Sequence, residues 1–166
     1  MEREICFAKM RVDAIIPSKN LENAGYDVYA NFPEEYIVIE PHETKMIPTG
    51  IASVLPDSLV FVLKERGSTG TNGMGQRAGV IDSGYRGEWF VPITNHNDVP
   101  LVIYKCIELL DSDLFPIDTI FYSYKKAVCQ AILVDVPVVR IKQIHKDQLS
   151  NYVSERGSGS CGSSGK

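Results

Sequence analysis

The rhythm of the apolar runs constrains this fold more than any other feature of the sequence. The runs are short and rich in Val, Ile, Tyr and Phe. They recur as Tyr36–Ile39, Leu59–Leu63, Trp89–Ile93, Leu101–Tyr104, Ile120–Tyr124 and Ala131–Val139. Pro, Gly, Asn or Asp bounds most of them. β-branched and aromatic side chains suit a pleated, half-buried surface, and the residues between them suit tight turns. Few stretches keep a helical period over about ten residues. The pattern predicts many short strands, and so an all-β sandwich or jelly-roll-like barrel. One short helix is expected within Ile107–Phe115.

The chain has 166 residues, 44% hydrophobic and 23% charged. That is enough for one domain with a real core, and too few for two. We expect a β domain over residues 1–153 and a Gly/Ser-rich arm over 154–166. The last eleven residues, Arg156 to Lys166, hold four Gly and four Ser. Such a segment cannot bury enough surface to fold alone. It reads either as a disordered terminus or as an arm that orders over an anionic ligand. A net charge of −4 and a pI near 5.4 give no support to a general nucleic-acid or membrane-surface protein. No apolar run approaches the ~20 residues of a membrane span. The start, Met1-Glu2-Arg3-Glu4, lacks a signal-peptide core, so a cytoplasmic location is expected. Cys6, Cys106, Cys129 and Cys161 are scattered without CxxC spacing, which argues for free thiols and against structural zinc. Three of the four lie in apolar surroundings and read as core.

Five segments have the composition of a site. Ala24–Ala30 is a Gly-containing strand with a single acid, Asp27. Arg66-Gly67-Ser68-Thr69-Gly70 gathers a guanidinium, two hydroxyls and flexible backbone, which makes a plausible phosphate cradle. It lacks the order of a P-loop. Gly79–Gly87 sets Asp82, Tyr85 and Arg86 among three glycines. This loop could be a plain hairpin, or it could hold a small polar ring between backbone groups. Gln130 is a lone amide in the apolar run Ala127–Val134 and must find hydrogen-bond partners if buried. The fifth segment is the arm, with Arg156, Ser163 and Ser164.

The order AGYDVYA, RGST, GVIDSGYRG, a strand glutamine, then RGSGSCGSSG resembles the five motifs of the homotrimeric dUTP nucleotidohydrolases, from about Val12 onward. The resemblance implies hydrolysis of dUTP to dUMP and diphosphate with Mg²⁺, in sites at the subunit interfaces of a homotrimer. It implies that backbone groups at Gly79, Val80 and Ile81 read uracil. Tyr85 would lie under the deoxyribose and exclude a 2′-hydroxyl. Asp82 would contact the 3′-hydroxyl and orient the attacking water. Arg66, Gly67, Ser68 and Gln130 would hold phosphates, and Gln76 stands where the family often has a substrate-site Asn. Arg156, Ser163 and Ser164 would close over the β- and γ-phosphates, and Asp27 would reach the metal through water only.

The sequence departs from the family pattern in places. Glu65 replaces the usual Pro, and a carboxylate beside phosphates is unfavourable unless it points away. Thr69–Gly75 is a poor helix where the family is usually helical. Cys161 stands where an aromatic usually stacks on uracil, and Tyr152 is a candidate substitute. Ser160 replaces a frequent Gly. The stretch 96–126 is longer than usual and carries Glu108, Asp111, Asp113 and Asp118. We expect a surface excursion with its own hairpin or short helix. A docking surface for a regulatory protein is the alternative, by analogy with insertions in phage members.

Two other functions compete with dUTP hydrolysis. The related dCTP deaminases carry a catalytic Glu shortly after the third motif, where this chain has Pro92, and Pro cannot transfer a proton. A nucleotide-gated binding protein without turnover is the other alternative. His42, His96 and His145 show no metal spacing and read as surface residues. Trp89 reads as core or subunit interface, and Lys125-Lys126 as a solvated pair.

Overall fold

The computed structural model describes residues 3–110 and 112–159. Twelve short strands dominate it: β1 (Cys6–Lys9), β2 (Gly25–Tyr29), β3 (Tyr36–Ile39), β4 (Thr44–Pro48), β5 (Ile51–Val54), β6 (Leu59–Lys64), β7 (Met74–Gln76), β8 (Val80–Ile81), β9 (Phe90–Asn95), β10 (Leu101–Tyr104), β11 (Ile120–Ser123) and β12 (Ala127–Asp135). Among the described residues there is one α-helix, α1 (Gly67–Thr71), which follows β6. The strands form four small sheets, ordered β1-β5, β11-β10-β3, β2-β12-β6-β8 and β4-β9-β7. The architecture is all-β, as the rhythm of the runs predicts.

Alternation turns these runs into strands. In β6, Leu59, Phe61 and Leu63 are buried while Val60 and Val62 are half-buried, the two-residue period of a strand. The core gathers around Trp89, whose ring lies 5.2 Å from Phe61 and 5.6 Å from Phe7 in tilted, edge-on arrangements. Its indole N–H donates to Ser53 Oγ at 3.2 Å, as a buried tryptophan requires.

Three expectations need correction. The stretch 96–126 is not a surface excursion with its own hairpin. Leu101, Val102, Ile103 and Tyr122 are buried, and β10 pairs in parallel with β11 while its other edge pairs with β3. A parallel pair needs a long crossover, and residues 105–119 supply it. The helix expected in Ile107–Phe115 is two 3-10 turns, Ile107–Leu109 and Ser112–Leu114. Among the cysteines, Cys129 alone of the described ones is core. Cys6, at the start of β1, is exposed, and Cys106, in the turn after β10, is half-buried.

Candidate functional site

Two hollows on the surface hold most of the predicted site residues, and they share no lining residue. The first, of about 550 Å³, is lined by Asp27, Arg66, Gly67, Ser68 and Gln130 among others. Strand register builds it. Gln130 of β12 sits opposite Asp27 of β2 on one side and opposite Lys64 of β6 on the other. That row places an acid, an amide and the strand end that leads into Arg66 at one edge. Arg66 Nε meets Asp27 Oδ1 at 2.9 Å, and its Nη2 meets Oδ2 at 3.3 Å. This two-point geometry fixes a guanidinium that would otherwise swing freely. Gln130 Nε2 donates to the Glu65 carbonyl at 2.7 Å, which gives this half-buried amide a backbone partner. Gly25 leaves room for that side chain, since a Cβ at Gly25 would come within 2.8 Å of Gln130 Cβ.

The segment judged a poor helix is nevertheless helical over Gly67–Thr71. Local hydroxyls override propensity here. Thr69 Oγ1 is buried and accepts from the Arg66 backbone N–H at 2.8 Å while donating to the Arg66 carbonyl at 3.0 Å. Thr71 Oγ1 and Asn72 Nδ2 both donate to the Ser68 carbonyl, at 3.1 and 2.7 Å. Tyr122 from β11 lies against this turn, its hydroxyl donating to the Ala127 carbonyl at 2.7 Å. Burial pushes the Tyr122 phenol up, and its neighbours Ser68 and Arg66 oppose the shift. Burial likewise pushes the Cys129 thiol, next in chain to Gln130, well above its usual range. It stays a neutral core thiol.

The second hollow, of about 250 Å³, is lined by Gly79, Val80, Ile81, Asp82 and Tyr85, with Met46, Phe90 and Pro92 across from them. Gly79 is required twice over. Its φ is +117°, and a Cβ there would come within 2.8 Å of Leu63 Cβ. Its carbonyl accepts from the Leu63 N–H at 2.7 Å. The Tyr85 N–H donates to the Asp82 carbonyl at 3.0 Å, closing a turn that leaves Asp82 exposed. Tyr85 Oη donates to the Glu88 carbonyl at 2.8 Å. The ring crosses Gly87, where a Cβ would meet Tyr85 Oη at 2.5 Å. Below it, the Glu88 carboxylate accepts from Arg11 Nη1 at 2.7 Å and from the Gly50 N–H at 2.8 Å. The loop is thus tied to the core directly before Trp89.

Gln76 does not face either hollow. Its Nε2 donates to the Arg77 carbonyl at 2.8 Å and reaches the Ala78 carbonyl at 3.5 Å, so it braces its own turn. Arg156 lines neither hollow, and its Nε donates to the Gly159 carbonyl at 3.0 Å. Ser160, Cys161, Ser163 and Ser164 lie outside the described residues, and Tyr152 is exposed and lines neither hollow. Glu65 points away from the first hollow toward the Gln76 N–H. His42 pairs with Asp98 and His145 with Asp147 at the surface. Tyr122, Glu88 and Arg11 are supporting residues that the sequence did not reveal, and of these only Glu88, adjacent to the GYRG glycine, carried any local signal. The sequence marks Thr69 as one of the hydroxyls of its loop, and it serves there as a brace.

Among the described residues no three His, Cys, Asp or Glu side chains converge as a metal cage would require. No helix among them is long and apolar enough to cross a membrane.

A family model described as dUTPase matches residues 13–108. The deoxyuridine 5′-triphosphate nucleotidohydrolase of Nautilia profundicola is 30% identical over 162 residues, covering 95% of this chain and 96% of that one. The enzyme of that name from Clostridioides difficile is 29% identical, covering 95% of this chain and 94% of that one. Among solved structures, a Staphylococcus bacteriophage 80alpha dUTPase variant with dUpNHpp superposes at a TM-score of 0.75 and 22% identity, over 98% of this chain and 99% of that one. A phage phi11 dUTPase described with a structural Mg(II) ion gives 0.69 and 22%, over 86% and 97%. At that identity the structures speak for the fold.

Proposed function

The chain belongs to the dUTPase family and hydrolyses dUTP to dUMP and diphosphate, and we propose that it does so in a site shared between copies of the chain. The observation that carries this reading is the pair of unlike hollows. One is polar and holds the Arg66 guanidinium, the Ser68 hydroxyl and the Gln130 amide, suited to phosphates. The other is lined by glycine backbone, apolar side chains, a carboxylate and a tyrosine, suited to a deoxyuridine. Membership of the family implies that the phosphate side of one chain completes the base side of another in a homotrimer, and two hollows without a common lining residue accord with that division. In this reading the β body ends near residue 153 and the arm, 154–166, reaches a neighbouring site with Arg156, Ser163 and Ser164.

Each residue then has a task. Backbone groups at Gly79, Val80 and Ile81 read the uracil edge. Tyr85, held flat over Gly87, supports the deoxyribose and leaves no space for a 2′-hydroxyl. Asp82, exposed on its turn, orients a water and accepts its proton as oxygen attacks the α-phosphorus, and diphosphate departs with the cleaved bridging oxygen. Arg66, Ser68 and Gln130 hold the phosphates, and Arg66 stabilises charge on them.

The protein donors fit Mg²⁺ in a limited way. Asp27 is already paired with Arg66, and, as the family resemblance implies, it would meet a triphosphate-held cation through water only. Bound there, Mg²⁺ would neutralise phosphate charge. A deaminase reading is not favoured, since Pro92 lies on β9 paired with Met46 and offers no proton-transfer group.

Complementation tests the shared site. Arg66→Ala and Asp82→Asn chains are each expected to be nearly inactive alone. Mixed trimers, refolded together, are expected to regain turnover. Failure to regain it, in trimers shown by mass to be mixed, would place each site within one chain. Diphosphate release from dUTP, dCTP and dTTP, followed with ammonia, tests the substrate.

A further inference from the structure

We propose that Glu65 is a positioning residue that ties the phosphate-side cleft to the base-side hairpin of the same chain. The inference rests on the assignment of the two hollows given above. Its main chain serves one side, because the Glu65 carbonyl accepts from Gln130 Nε2 at 2.7 Å. Its side chain serves the other, because Glu65 Oε1 accepts from the Gln76 backbone N–H at 3.0 Å. Lys64 Nζ lies 3.4 Å from Oε2 and steadies the carboxylate.

The turn between β7 and β8 gains from such a tie. These strands are three and two residues long and pair with different neighbours, β9 and β6, so no ladder between them holds the turn. Between them Ala78 has φ +51° and Gly79 φ +117°. A positive φ is unfavourable for alanine, and the surroundings must impose it. The imposing contacts include the pairing of β7 with β9 and of β8 with β6, and the Arg77 N–H, which donates to the Pro92 carbonyl at 2.9 Å. Leu63 N–H holds the Gly79 carbonyl at 2.7 Å, and the Gln76 amide holds the carbonyls of Arg77 and Ala78. Glu65 in turn fixes Gln76. At the end of β6 the base-reading turn is held by Leu63 and Glu65, beside the pairing of Phe61 and Val62 with β8. The next residue after Glu65 is Arg66, so one strand end carries contacts to both sides. The family to which the chain is similar usually has Pro at this position, and Pro has no side-chain acceptor. The tie is thus a property of this chain. Its own backbone N–H, and then that of Gln76, hold the Glu65 carboxyl below its usual range against the effect of burial, which keeps it an acceptor.

Steady-state kinetics with dUTP and binding titrations with dUMP, on the full chain, test the tie. Glu65→Ala is expected to raise the KM for dUTP about tenfold and weaken dUMP binding by a similar factor, with kcat within about threefold. Glu65→Gln keeps an acceptor oxygen and is expected to stay within about twofold of the parent in both. An unchanged KM in Glu65→Ala, or a Glu65→Gln protein as impaired as Glu65→Ala, would overturn the proposal. If Glu65→Ala does not fold, Glu65→Asp withdraws the acceptor by one methylene. A raised KM in Asp but not in Gln supports the tie, and equal behaviour of the two overturns it. A parent chain without dUTP turnover would instead overturn the reading of the hollows on which the tie depends.

Discussion

The two halves of the site are built by opposite means. The base-side hollow takes most of its lining from one continuous stretch, Gly79 to Tyr85, in which a glycine and a closed turn set the backbone, with Met46, Phe90 and Pro92 across from it. The phosphate-side cleft is made by side chains far apart in sequence. Asp27 meets Arg66, and Gln130 meets Glu65, only because β2, β12 and β6 lie side by side. The first half is fixed by local conformation, and the second by register across a sheet. Damage to the first should follow from single backbone requirements, and damage to the second from broken pairings.

The largest effect is expected at Asp82. Asp82→Asn should lower kcat by about 10³-fold while dUpNHpp still binds within a few-fold of the parent. Near-normal turnover in a stopped-flow or diphosphate-release assay would remove Asp82 from the chemistry. Next is Gly79→Ala, which adds a Cβ at φ +117° against Leu63. It should cost about 2–3 kcal/mol of stability by denaturant titration and abolish dUMP binding. A protein that keeps both would mean that the base side is not fixed by local backbone.

Arg66→Lys probes the other half. A lysine cannot make the two-point contact with Asp27, so the KM for dUTP should rise about tenfold while dUMP binds as before. Loss of dUMP binding would show that the halves are not separable in this way. A smaller change is expected from Gly25→Ala, which displaces Gln130. KM should rise a few-fold, with no change in the affinity for dUMP measured by calorimetry.

The smallest effect is on acid stability. The folded-state value for Glu65 lies below its ordinary 4.5. Its contribution is therefore present above that ordinary value and is lost as pH falls through the depressed one. Below about pH 4.5, the unfolding free energy of the parent should fall more steeply than that of Glu65→Gln. Parallel pH profiles would separate the Glu65 charge from stability.

Much of this was legible in the chain itself. Short β-branched runs between turn residues predict strands because a strand needs only nearest-neighbour alternation. The third motif reads as a site because its glycines and turn act within nine residues. Helix α1 was not legible, since Thr69 closes it with its own hydroxyl against a poor propensity. The stretch 96–126 was misread as an excursion, since nothing local tells a strand that its partner runs parallel. Tyr122 reaches the phosphate loop only through that pairing.

The sequence by itself determined the all-β class, the family and the base-side loop, because each depends on short-range patterns of residue type and spacing. The tertiary structure alone decided which side chains meet. It set Gln130 between Asp27 and Lys64, turned Glu65 away from the phosphates onto Gln76, and buried Trp89 behind the loop. Those contacts arise from strand order and register, which are set by the burial of the whole core and not by any one segment.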